Sequence, residues 1–340
     1  MRGRLFAWLL LLSVVTPTWA QDPSADAAVA TEATAPDIVD LDVVVVSGAQ
    51  PGPGMWKVSK GDHVLWILGT LSPLPKRMEW ISTDVEKTIA QSQEVIASPT
   101  VKLDSDIGVF RSMMLLPSLL RARRNPDGKR LQDVVPAGLY ARWQVLKARY
   151  IGSDRGIEQW RPVFAAQELY EAAMRKSGLT QDSVVQPVVK KAARRHEVRV
   201  VPSEVTIDIK NPKAALKEFS DAALADTDCF AKTMSRIETD LDAMRARANA
   251  WAVGDLDALR ALPDNDQYIA CTRAFTETGL AQKLGISDIR TRVANTWLAT
   301  AEAAIAKNAS TFATLPISQL LKPDGYLARL QAKGYAVEAP

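Results

Sequence analysis

The chain has 340 residues, 47% hydrophobic and 24% charged, with 42 Lys+Arg against 39 Asp+Glu for a net charge of +3. A balance this close to neutral leaves no basic footprint for nucleic acid, and the apolar share is that of a globular protein rather than a disordered chain.

Arg2 and Arg4 precede an apolar run, Leu5 to Val15, that is too short to cross a bilayer, and Thr18-Trp19-Ala20 ends in a small residue. This pattern predicts a signal peptide over 1–20 and a periplasmic or secreted mature chain. No cysteine follows for lipid attachment, and no later stretch approaches transmembrane length, so no integral membrane segment is expected once the leader is removed. Residues 21–50 open in an Ala/Ser/Thr/Asp/Glu-rich stretch and read as a disordered linker. The remainder, 51–340, reads as a single domain with a helical insertion at about 131–307.

In chain order, Met55–Lys60 alternates, Gly61-Asp62 is a hairpin turn, and His63–Leu68 returns as a strand. Trp80–Ser92 has helical spacing with Ser82 as an N-cap, and Glu94–Ala97 is a short apolar strand. Helices are expected at Tyr140–Tyr150, Trp160–Lys176 and Val184–Arg195, followed by a strand at Val198–Val201. Further helices are expected at Ala214–Leu224, Phe230–Val253, Leu256–Ala261, Tyr268–Leu284 and Ile289–Lys307. Alternation then returns: a strand at Thr311–Pro316, a helix opened by Pro323-Asp324-Gly325 and closed by Gly334, and a last strand at Tyr335–Glu338. The expected class is α/β, with α+β as the alternative: a central mixed sheet built from the two ends of the chain around a largely helical middle.

The chemistry is sparse. The sequence contains no H-E-x-x-H, no C-x-x-C pair, no G-x-S-x-G and no glycine-rich phosphate loop. Its two histidines, His63 and His196, read as an exposed loop residue after the hairpin turn and as a helix C-terminal residue. Cys229 and Cys271 are the only cysteines, and in an oxidising compartment an even pair suggests a disulfide; two buried free thiols are the alternative. The basic clusters Arg121–Arg124 and Lys190–Arg195 read as solvated faces, with anionic lipid or acidic polysaccharide contact as the alternative. Ser72-Pro73 stands where a strand of an open α/β sheet would present a side chain to a ligand. A nucleophilic serine needs a base in reach; His196, just before the strand Val198–Val201, is the open candidate, and nothing in the sequence favours their meeting.

Four stretches carry a resemblance to a known family. "MWKVSKGDHVLWILGTLSPLP" (55–75), "IEQWRPVFAAQEL" (157–169), "ANAWAVGDLDALRAL" (248–262) and "STFATLPISQLLKPDGYLARLQAKGYAVE" (310–338) resemble the TraB/GumN family. That resemblance implies metal-dependent hydrolysis, attributed to some members, with histidines of two strand-end motifs as ligands or acid/base groups. Here the matching positions are Ser72, after Gly69 and Thr70, and Gln319, while Pro316 replaces the second motif's glycine. Ala97-Ser98-Pro99 stands where the family places an acidic residue, and its Arg-Asn helix pair is represented by Arg292 and Asn295. A hydroxyl and an amide are poor substitutes for imidazole or carboxylate ligands, so the resemblance implies a fold kept and a metal chemistry lost, with no cofactor.

Two rival readings remain. A hydrolase with a rebuilt site would draw on Asp84, Glu204 or Asp208, and Glu204, which follows the strand Val198–Val201, is the most informative of these. An envelope protein associated with exopolysaccharide would bind an envelope component or a glycan. Trp56, Trp80, Trp143 and Trp160 could stack on sugar rings, although tryptophan is more often core.

Overall fold

The N-terminal hairpin forms as expected: Met55–Lys60 (β1) and His63–Thr70 (β2) pair antiparallel, Met55 opposite Leu68 and Lys60 opposite His63. The computed structural model describes residues 50–105, 114–222, 224–261 and 266–340, so the expected leader over 1–20 and the linker over 21–50, apart from Gln50, lie outside the described residues. The other strands are Leu74–Pro75 (β3), Glu94–Ile96 (β4), Thr100–Asp104 (β5), Leu179–Thr180 (β6), Arg199–Val201 (β7), Glu204–Asp208 (β8), Ser310–Pro316 (β9) and Ala336–Glu338 (β10).

Six of them make one mixed sheet in the order β10-β1-β2-β9-β4-β7. Strand β9 lies parallel between β2 and β4, with Gly69 beside Leu315 and Thr70 beside Pro316. The two chain ends therefore do build the sheet. Leu65, Ile67, Leu68, Phe312, Ala313 and Leu315 are buried, the continuous apolar pattern of parallel strands covered on both faces.

Helix Thr83–Ala90 links β2 to β4 and buries Val85 and Ile89. Ser82 occupies its N-cap, but the hydroxyl donates to Glu86 Oε1 at 2.8 Å instead of accepting from the backbone. Helix Ile289–Lys307 leads into β9 and contributes Trp297, Leu298, Ala301 and Ile305 to the sheet core. A second core lies in the helical region, where Trp143 and Phe230 meet at 5.4 Å between ring centroids.

Two long expected helices are broken, each for a local reason. Phe230–Val253 divides at Asp240 into Thr227–Thr239 and Leu241–Val253; the Asp240 carboxylate pairs with Arg236 at 3.2 Å and lies 3.9 Å from Arg247. Tyr268–Leu284 divides into Asp266–Thr276 and Gly279–Lys283, because the Thr278 hydroxyl caps the second helix by accepting from the Ala281 N–H at 3.0 Å. The helical middle also contains β6, β7 and β8, and the pairings β3–β6 and β5–β8 were not anticipated. Cys229 and Cys271 form a disulfide that ties helix Thr227–Thr239 to helix Asp266–Thr276. Among the described residues, no helix is long and apolar enough to cross a membrane.

Candidate functional site

Parallel strands bring their carboxyl ends, and whatever follows them, to one edge of a sheet. At the ends of β2 and β9 the chain leaves a cavity of about 800 Å³. Thr70, Leu71 and Ser72 line it from the first strand, and Pro316, Ile317 and Ser318 from the second. The Ser72–Pro73 peptide is cis, and the exposed Ser72 hydroxyl donates to the Gln181 carbonyl at 3.1 Å. Thr70 is likewise engaged, donating to the Leu315 carbonyl at 3.2 Å.

The neighbouring strand ends are closed by neutral hydrogen bonds. Ser98, just past β4, lies 2.8 Å hydroxyl to hydroxyl from buried Thr314 of β9. The Gln186 amide, from helix Val185–Arg195, donates to Thr314 Oγ1 at 3.2 Å and to Ser98 Oγ at 3.4 Å. Thr314 is buried and Ser98 and Gln186 are half-buried, and each finds a hydrogen-bond partner here without a charge.

Opposite these strand ends stand cations that the sequence reading did not single out. Arg236, Arg247 and Arg260 reach the cavity from the helical region, and Lys322 from the turn after the short helix Ile317–Leu320 that follows β9. The signal for one of them was present: Met244, Arg247 and Trp251 recur at helical spacing, so they share one stripe of helix Leu241–Val253. Arg236 is buried, its side chain 8% exposed, with the Tyr170 hydroxyl beside it; burial raises the Tyr170 pKa, and the guanidinium opposes that shift.

Of the residues proposed from sequence, Ser72 lines the cavity with its strand neighbour Thr70, while Gly69 lies just behind, its carbonyl taking the Trp251 indole N–H at 2.8 Å. Gln319 is half-buried in the short helix Ile317–Leu320, beside the cavity-lining Ser318. Glu204 is exposed and sits opposite Thr100 in the β5–β8 pair, away from the cavity lining. Asp208 ends the same strand and Asp84 lies in the first turn of helix Thr83–Ala90, both exposed. Arg292 donates to the Gly285 carbonyl at 2.6 Å and Asn295 accepts from Arg329 at 2.5 Å, so neither joins Ser72.

His63 is not an exposed loop residue: it opens β2 half-buried, with Nδ1–H donating to the Asn308 carbonyl at 2.8 Å. His196 ends helix Val185–Arg195 at its C-cap. Trp56 and Trp143 are core, Trp80 packs edge-on to Trp251 at 6.0 Å, and Trp160 is covered by Arg123 at 4.0 Å, so these four present no open stacking platform.

The donor set at the strand ends does not fit a divalent metal. Hydroxyls and an amide replace imidazole and carboxylate, and among the described residues no group of three His, Cys, Asp or Glu could hold an ion. The family model described as the TraB/PrgY/gumN family matches residues 54–339. No curated protein and no solved structure matches the chain.

Proposed function

The chain belongs to the TraB/PrgY/gumN family, and from that premise we propose that it is a secreted, periplasmic protein that keeps the fold without metal-dependent catalysis and binds a component of the cell envelope at the strand-end cavity. The observation that carries the reading is the neutral triad Ser98–Thr314–Gln186, which occupies with satisfied hydrogen bonds the strand ends where a metal site would need charge or imidazole. The leader-like residues 1–20 and the Cys229–Cys271 disulfide support an oxidising compartment. The envelope component, a glycan or another surface molecule, would enter beside Ser72 and Ser318.

Metal analysis of the purified mature protein tests this. No stoichiometric metal is expected. One tightly bound zinc or manganese per chain that is lost in Ser72→Ala would overturn the reading.

A further inference from the structure

Among the described residues, the ionisable side chains lining the cavity are Arg236, Arg247, Arg260 and Lys322, all cationic, with no described carboxylate beside them in the lining. One nearby carboxylate, Asp240, lies 3.2 Å from Arg236 and 3.9 Å from Arg247. Arg260 pairs with Asp257, but that carboxylate is 96% exposed and neutralises little. Among the described residues Lys322 makes no ion pair.

A second observation is independent of this charge count. The Arg236 side chain is more than nine-tenths buried, and its Nε–H has no hydrogen-bond partner. A guanidinium held out of water is stabilised by an oxyanion in the adjoining cavity far more than by a neutral hydroxyl, because the charge attraction is poorly screened there. The rest of the lining supplies apolar walls in Leu71, Met244, Leu259 and Leu321 and hydroxyls in Ser72 and Ser318. A volume of about 800 Å³ is within the ordinary range for a small-molecule site.

We propose that the cavity binds a small organic anion of sugar size or larger through a phosphate or carboxylate group held by Arg236, Arg247, Arg260 and Lys322. The proposal rests on reading the cavity as a binding site and adds the charge class of its ligand. Guanidinium forks match both oxyanions, so the shared chemistry is the anionic group.

Calorimetric titration of the full mature chain with glucose 1-phosphate, glucuronate and glucose tests it. At least one charged probe should bind saturably while glucose does not; whichever binds names the group, phosphoryl or carboxylate. Arg236→Gln should weaken that binding at least about tenfold, the value of one charge-assisted hydrogen bond. Because Arg236 is buried, the double variant Arg260→Gln/Lys322→Gln, at more accessible positions, provides the second measurement. It should weaken binding at least about threefold with an unchanged melting temperature.

Glucose binding as tightly as the charged probes overturns the proposal. So does the absence of saturable binding by either charged probe up to on the order of 10 mM, or unaltered binding in the double variant. Such failure leaves the non-catalytic reading standing, since that turns on metal content. A tightly bound metal would sink that reading without deciding the anion titration.

Discussion

The indole N–H of Trp251 donates to the carbonyl of Gly69 at 2.8 Å, across 182 residues of chain. Trp251 is fully buried and Gly69 is the next-to-last residue of β2, so this bond pins helix Leu241–Val253, with Arg247 on the same stripe, against the strand end. It joins two of the stretches that carried the family resemblance.

Trp251→Phe keeps much of the apolar volume but leaves the Gly69 carbonyl without its indole donor, and should cost about 1–3 kcal/mol. Trp251→Ala, which also opens a cavity, should cost about 3–5 kcal/mol. Gly69→Ala is expected to cost about 1–3 kcal/mol, because its Cβ would sit 3.0 Å from the Trp56 ring and 3.1 Å from Ile317. Urea denaturation of the three variants checks this order.

Gly325 is a sharper constraint. A Cβ there would collide with the Gln319 carbonyl oxygen and lie 3.0 Å from that of Lys322, and backbone atoms cannot swing aside as a side chain can. Gly325→Ala should destabilise by about 2–4 kcal/mol and raise amide exchange over 317–325, which hydrogen-exchange mass spectrometry reads directly. Wild-type protection in that turn would refute the argument.

The disulfide closes a sequence separation of 42 residues. The chain-entropy relation gives about 4 kcal/mol for a loop of that length, so reduction, or Cys229→Ser with Cys271→Ser, should lower unfolding free energy by up to that amount. Denaturation with and without reductant measures it.

Asp226 gives a pH dependence of definite sign. Burial raises its carboxyl above the ordinary value, opposed by the Val163 N–H at 3.0 Å and by Arg161. The folded state therefore binds the proton more tightly than the unfolded chain. Between the unfolded and folded pKa values this group adds stability as pH falls and takes it away as pH rises, at no more than about 1.4 kcal/mol per pH unit. Asp226→Asn lacks that titration, so the wild type should gain on the variant between about pH 7 and about pH 4 in paired urea titrations. A constant difference across that range would contradict it.

What the residues foretold follows the strength of their local patterns. The hairpin 55–68, the strand near 311–316 and the last helix and strand were legible because apolar runs there are bounded by Gly and Pro turns. The helix breaks at Asp240 and Thr278 were missed because the polar side chains that make them, one engaging arginines and one capping, resemble ordinary solvated helix residues until their partners are known. The β5–β8 pair did carry a period-2 signal that was passed over: Val101 and Leu103 alternate with polar residues in the exposed β5, as Val205 and Ile207 do in β8.

At the site, Ser72 and the strand-end position were readable from one stretch. Of the cations opposite, Arg247 had a local signal in its helical stripe, but Arg236 and Arg260 did not, since they reach the cavity only once helices remote in sequence are packed. Arginines on helices with buried faces look alike in sequence whether they meet water, a carboxylate or a cavity.

The placement of β9 also sets an order of assembly. Strand β2 needs β9 on its open side from Val64 beside Ser310 to Thr70 beside Pro316, and β4 needs the same strand on its own. A chain made or threaded from its N-terminus carries β2 paired with β1 on one side and open on the other until the last few dozen residues emerge. Until then that edge is exposed to wrong pairing, and loss of residues 310–340 removes the middle of the sheet, not a dispensable tail.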